Sequence, residues 1–204
     1  MENAHDNKLN AWHPSSEPRE TSSHFWHHVR EWIKVIIVAL IISLPIRFFI
    51  AEPFVVEGAS MDPTFESGQF LIVDRISYNT GTPSRGDVTI FKYPNNPRVY
   101  YIKRVIGLPG ETVRISDGIV SIVNTEYPEG FILDESYIGA THRSHETATV
   151  TLGPTEYFVM GDNRSQSSDS RSWGPLDEKF IIGRPVVRLL PLTAVSLFPG
   201  EHHE

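Results

Sequence analysis

The 204 residues leave room for one domain of moderate size with a tail and an anchor, and they exclude a large second domain. A formal net charge of -7, without a basic patch interleaved with aromatics, argues against nucleic acid as a partner. With Cys 0 the chain has no disulfide framework, no thiolate metal site and no cysteine nucleophile.

Residues 1 to about 23 are polar and without apolar period, which predicts a disordered tail, and residues 1–32 together read as cytoplasmic tail and interface. From His24 to Lys34 aromatic and charged residues mix, and Trp26 and Trp32 suit a membrane boundary. His24, His27 and His28 fall at helical spacings, but no carboxylate or thiolate completes a ligand set, so they read as a hydrated face and no metal is assigned.

From Ile33 to Ile50 the chain is mostly apolar, interrupted by Lys34, Ser43, Pro45 and Arg47. Its uncharged core, Val35 to Ile46, falls short of the ~20 residues a helix needs to span a bilayer. Snorkelling by Lys34 and Arg47 extends it, so residues 33–50 are expected to be one transmembrane helix. A buried core helix or a cleaved secretory signal are the alternatives. No small-x-small site closes the segment, and it starts late for a signal. Arg19, Arg30 and Lys34 before it, against Arg47 after it, place the N-terminus in the cytoplasm and residues 51–200 outside.

Beyond the anchor, short strands alternate with turns. Phe70–Val73, Val88–Phe91, Val99–Ile106, Thr112–Ile115, Ile119–Val123, Thr147–Leu152, Tyr157–Met160 and Val186–Leu190 are predicted strands. Asn79-Thr80-Gly81, Pro94-Asn95-Asn96-Pro97, Pro109-Gly110 and Asp117-Gly118 supply the turns. The fold class is therefore mostly β, an antiparallel sandwich or barrel-like domain, with residues 201–204 a polar tail. The polar stretch from Glu126 to about Thr147 reads as a solvent-facing hairpin or loop. Its His142, His145, Glu135 and Glu146 are too sparse for a metal site.

One hydroxyl stands out. Phe54-Val55-Val56 reads as a strand, Gly58 relaxes the backbone, and Met61-Asp62-Pro63 forces a turn, so Ser60 is presented at a bend. A serine needs a base. Lys103, set among aromatic and β-branched residues in Tyr100–Ile106, is the best candidate, because burial disfavours its ammonium and frees the amine to accept a proton. Serine and lysine alone can make a catalytic pair, with the Ser60 N–H as an oxyanion donor.

The loop Gly161 to Gly174 is the second signal. Its Asp162-Asn163 opening suggests calcium, but Arg164 stands where an oxygen ligand is needed. Asn163-Arg164-Ser165 matches a glycosylation acceptor, which a loop packed beside the site would not carry. The remaining reading is a structural brace of Asp162, Asp169 and Arg171, with a plain surface ion pair as the alternative.

These residues resemble the bacterial type I signal peptidases. The matching blocks are Ser60-Met61-Asp62-Pro63-Thr64, Arg85-Gly86-Asp87-Val88, Tyr101 to Glu111, and Gly161-Asp162-Asn163-Arg164 with Asp169-Ser170-Arg171 and Trp173-Gly174. They stand in the family's order, and with the apolar anchor they span about Ile33 to Arg188. The resemblance implies a membrane-bound serine endopeptidase without cofactors that cuts signal peptides from secreted preproteins after a small-x-small motif, through an acyl-enzyme. It implies Ser60 as nucleophile, Lys103 as general base, Ser167 as the hydroxyl orienting the lysine, and Phe54, Val56 and Ile102 around pockets for small side chains. Some members carry a serine donor where this chain has Gly58, which leaves the oxyanion to backbone donors or water. The implied place is the cytoplasmic membrane, single-pass, with the catalytic domain on the outer face and a functional link to the secretion translocon. Phe48, Phe49 and Phe54 are expected to help seat that domain on the lipid. Two other readings stay open: a self-cleaving repressor-type protease, disfavoured by the missing helix-turn-helix, and a catalytically silent anchored β-domain that binds exported proteins.

Overall fold

The computed structural model describes residues 21–45 and 51–202. Two units are present, residues 1–44 and 45–204.

In the first unit helix α1 (Thr21–Pro45) is 25 residues long and runs unbroken from polar into apolar sequence. The stretch from Thr21 to Trp32, read from sequence as tail and interface, is therefore helical. Glu31 and Lys34 stabilise the outer turn as an i,i+3 pair at 2.8 Å. The apolar side chains beyond it have no amphipathic stripe: Ile36, Ile41 and Ile42 are 54%, 65% and 58% exposed on different sides of the helix. Among the described residues no helix is long and apolar enough to cross a membrane. Arg47, Phe48 and Phe49, and with them the end of the expected anchor, lie outside the described residues.

The second unit is built from strands β1 (Ala51–Val55), β2 (Phe70–Asp74), β3 (Val88–Tyr93), β4 (Asn96–Gly107), β5 (Thr112–Ser116), β6 (Ile119–Val123), β7 (Phe131–Ile132), β8 (Ala148–Thr151), β9 (Glu156–Met160), β10 (Leu176–Asp177), β11 (Ile181–Leu190) and β12 (Ser196–Leu197). Short helices α2 (Ser77–Thr80) and α3 (Ser170–Trp173) sit between them. All strand pairings are antiparallel, as the pattern of short strands and turns requires. One sheet has the order β1-β2-β11-β3-β4-β9-β10 with β12 on β11, and a second has the order β7-β6-β5-β8. The turn Asp117-Gly118 closes β5 onto β6 with φ positive at both residues, 49° and 78°, the left-handed twist that tight hairpins need.

Apolar alternation fixes which faces are buried. Ile106, Phe158 and Met160 of the large sheet pack against Val113, Val120 and Ile122 of the small one. A separate cluster of Val56, Met61, Phe65, Leu71 and Val88 lies beneath the bend after β1 and clamps it from below. The segment from Glu126 to Thr147 departs from its solvent-facing expectation: Leu133, Glu135 and Ile138 are buried. Its polar composition hides three inward-facing residues spaced along an irregular path, a pattern that neither helical nor strand periodicity would detect.

Candidate active site

The bend that carries Ser60 is held by its neighbours. Val56 N–H donates to Gln69 O and Gly68 N–H to Val56 O, which extends the pairing of β1 with β2 to the start of the bend. Met61 and Phe65 are then buried at 1% and 0% exposure and linked by Phe65 N–H to Met61 O, so the short turn they frame pins Ser60 at the surface of the cluster. The Asp62-Pro63 peptide within it is cis. From the other side, Asn163 N–H donates to Ser60 O at 3.0 Å. The Ser60 N–H donates to no group among the described residues and stays available.

Lys103 lies on β4, paired with Thr89 of β3, and is 3% exposed. Its Nζ donates to Ser60 Oγ at 2.7 Å and to Ile102 O at 2.9 Å. Burial pulls its pKa down from 10.5 to about 8, against the opposing pull of the Asp169 and Asp162 carboxylates. An amine so placed spends a sizeable fraction of its time neutral near pH 8. The hydrogen bond can then reverse, with the Ser60 hydroxyl donating.

Ser167 sits close by, yet differently from expectation. A side chain at Gly161 would strike the Ser167 hydroxyl and Ser60 O, so Gly161 lets the two loops meet. The Ser167 hydroxyl is buried and completes no hydrogen bond among the described residues. It makes none to Lys103, whose second acceptor is the Ile102 carbonyl instead. Its hydroxyl lies near the Asp169 carboxylate, which Arg171 and Gly161 hold below the usual carboxylate range.

The loop itself is braced by charge. Arg171 grips Asp169 with Nε and Nη2, both at 2.8 Å, and adds Arg164 O at 2.8 Å. Asp169 also accepts from Gly161 N–H at 3.0 Å. Burial pushes its carboxyl up, but the Arg171 guanidinium and these hydrogen bonds outweigh that and keep it below the usual carboxylate range. Asp162 belongs to another pair: Arg104 Nε and Nη2 reach its two oxygens at 2.9 and 2.7 Å. Thr64 Oγ1 donates to the same carboxylate, which ties the bend to the loop. Arg104 and Thr64 were missed as site residues in the sequence. A second cation in an apolar strand signals a hidden carboxylate, but the partner lies 58 positions away.

A cleft of about 540 Å³ ends at Ser60 and Lys103, with Phe54, Val56, Tyr100 and Ile102 in its lining. Phe54 and Tyr100 face each other edge to face at 5.3 Å. Val56 and Ile102 serve the core as well, packing with Met61, Phe65 and Leu71. Among the described residues β1 pairs with β2 alone, and β4 meets β9 only from Arg104 onward, so within them one backbone edge on each is unpaired along the cleft.

Residues 29–190 match the family model described as signal peptidase, peptidase S26. The "Probable signal peptidase I-1" of Synechocystis sp. is 39% identical over 173 residues, covering 81% of this chain and 85% of that one. The "Signal peptidase I" of Bacillus licheniformis is 37% identical over 186 residues, covering 86% and 96%. A solved signal peptidase I from Enterococcus faecalis aligns with TM-score 0.43 and 31% identity, covering 51% of this chain and 97% of that one. This chain belongs to the signal peptidase family, peptidase S26, and with it to the serine endopeptidases that remove signal peptides.

Proposed function

We propose that the chain cleaves signal peptides from secreted preproteins with Ser60 as nucleophile and Lys103 as general base. The observation that carries this reading is the 2.7 Å contact between Lys103 Nζ and Ser60 Oγ at the end of an apolar cleft. Neutral Lys103 takes the proton as Ser60 Oγ attacks the scissile carbonyl. The free Ser60 N–H receives the developing oxyanion, a contact worth about 3 kcal/mol when well aligned. Protonated Lys103 then gives its proton to the leaving amine. In the second half-reaction it deprotonates the water that releases the acyl group. Gly58 carries no side-chain donor, so a second oxyanion contact would come from backbone or water.

An extended peptide can hydrogen-bond to the unpaired edges of β1 and β4 while its side chains enter the cleft alternately. Val56 and Ile102, fixed in the core, leave shallow space there, and Phe54 closes the side, which suits a small-x-small motif. Replacing Ile102 with Ala is expected to admit larger residues next to the cut, read as a changed ratio of kcat/KM between substrates.

The exposed apolar side chains around α1, such as Ile36, Ile41 and Ile42, support a membrane anchor, and exposed Leu192 and Leu197, at 80% and 72%, support contact of the catalytic unit with lipid. We place the chain in the cytoplasmic membrane, single-pass, with residues 51–200 outside and working beside the secretion translocon. Substrates tethered in the same bilayer meet it at high effective concentration.

The test is cleavage of a secretory precursor by detergent-solubilised wild type, Ser60→Ala and Lys103→Ala, with thermal unfolding alongside. Folded variants without cleavage uphold the reading. An inert wild type, or variants that cut the same bond, would replace it with an anchored binding module.

A further inference from the structure

Between β7 and β8 the chain leaves the small sheet, crosses to the catalytic loops and returns. Its first polar anchor is Glu135, 5% exposed at the side chain, which pairs with the equally buried Arg164 of the second catalytic loop. Arg164 in turn donates to Gly161 O at 3.1 Å, beside the close approach of Ser167 and Ser60. Two residues on, the Tyr137 ring lies 4.1 Å from the Arg104 guanidinium, the group that holds Asp162. His142 Nε2 then meets Asp62 Oδ2 at 3.0 Å, two positions from Ser60. Ser144 and Glu146 finish the crossing by accepting from Arg171 Nη1 at 3.0 and 2.8 Å.

These contacts are not spread over the surface. Each ends on an element that sets the position of Ser60 or of the Ser167 loop, and both ends of the segment are fixed, by Leu133 N–H to Val120 O and by Gly118 N–H to Glu146 O. We infer that residues 134–146 form a strap through which the small sheet positions the catalytic loops, His142 acting on the Ser60 bend through Asp62 and Glu135 acting on the Ser167 loop through Arg164. Both are positioning residues, since neither lines the cleft or touches Ser60 or Lys103. The inference rests on the Ser60–Lys103 reading and adds to it what keeps the two loops in register.

His142 offers the cleaner test. Its side chain is 20% exposed and that of Asp62 is 38% exposed, so the pair adds little to global stability, whereas removing Glu135 would strand a buried guanidinium. Wild type, Ser60→Ala, His142→Ala and His142→Gln are compared by steady-state cleavage of a signal-peptide substrate, with thermal unfolding of each. The strap predicts for His142→Ala a kcat lower by about tenfold at nearly unchanged KM and Tm, because a small misplacement of the nucleophile costs rate and not binding. The Gln amide offers a donor near the place of Nε2, so His142→Gln recovers most of kcat. If Ser60→Ala is inert and His142→Ala turns over at the wild-type rate, the strap is overturned and the nucleophile stands. A kcat loss that merely follows lost folded protein, without recovery in His142→Gln, overturns it equally. If Ser60→Ala still cleaves, the nucleophile assignment falls and the positioning role falls with it.

Discussion

Lys103 and Arg104 are consecutive residues of β4, both almost fully buried, and they point to opposite faces of the sheet. Arg104 is surrounded by acceptors: both oxygens of Asp162, with Gly86 O and Gly200 O each at 2.7 Å. Among the described residues Lys103 has two neutral hydrogen-bond partners, a hydroxyl and a carbonyl, with the Tyr101 ring 5.1 Å from its Nζ, and carboxylates reach it only through space. The same burial therefore has two outcomes. Paired, a cation becomes a structural member that must stay charged. Unpaired, it is pushed toward its neutral form, which is what the proposed role of Lys103 as general base requires.

The widest separation between the two lies in activity. Lys103→Ala and Ser60→Ala are each expected to lower kcat on the order of 10³-fold or more without unfolding the chain, measured by cleavage and circular dichroism together. Arg104→Ala should act on folding first. It leaves the Asp162 carboxylate buried without its cation, at a cost of about 3–5 kcal/mol in denaturant unfolding. Intact stability in Arg104→Ala would erase the contrast.

Lys103 itself opposes folding at neutral pH. Its folded pKa of about 8 lies below the unfolded 10.5, so the penalty is complete below pH 8 and fades as pH rises toward 10.5. Lys103→Met removes it and is expected to gain up to about 3 kcal/mol near pH 7, with the gain shrinking at pH 10. A loss of stability at pH 7 would mean that the amine is not strained by burial. Gly161→Ala sharpens the geometry on the other side of the site: the added methyl must displace both Ser167 and Ser60 O, and a shift of about 1 Å lowers kcat by roughly 10²-fold. A smaller effect is expected on acid stability from Asp169. Its depressed carboxyl contributes stability above the unfolded value, and this is lost as pH falls through the folded one, so Asp169→Asn should flatten the acid limb of a Tm–pH curve.

Most of this contrast is half visible in the sequence. Strands with clean alternation, such as Phe70–Asp74 and Thr112–Ser116, declare themselves because each has one buried face. β11 starts five residues ahead of its apolar run, since Gly183 and Pro185 look like breakers while lying in a strand whose neighbours impose its shape. β7, β10 and β12 are two residues long, too short for any period. In the site, the Ser60 bend and a lysine inside an apolar strand carry local signals. The partners of charged residues do not: Arg104 with Asp162, Arg164 with Glu135 and Asp62 with His142 are joined only by the fold. Ser167 shows the limit from the other direction, because its place beside Ser60 follows from Gly161 while the hydroxyl's lack of a bond to Lys103 is visible only in three dimensions.

The most direct test is the pH dependence of single-turnover acylation of Ser60 by a signal-peptide substrate. A lysine held neutral by burial predicts a rate that rises with an apparent pKa of about 8 and levels off above it. A rate still climbing at ~10.4, the value of an ordinary lysine, would contradict Lys103 as the buried base.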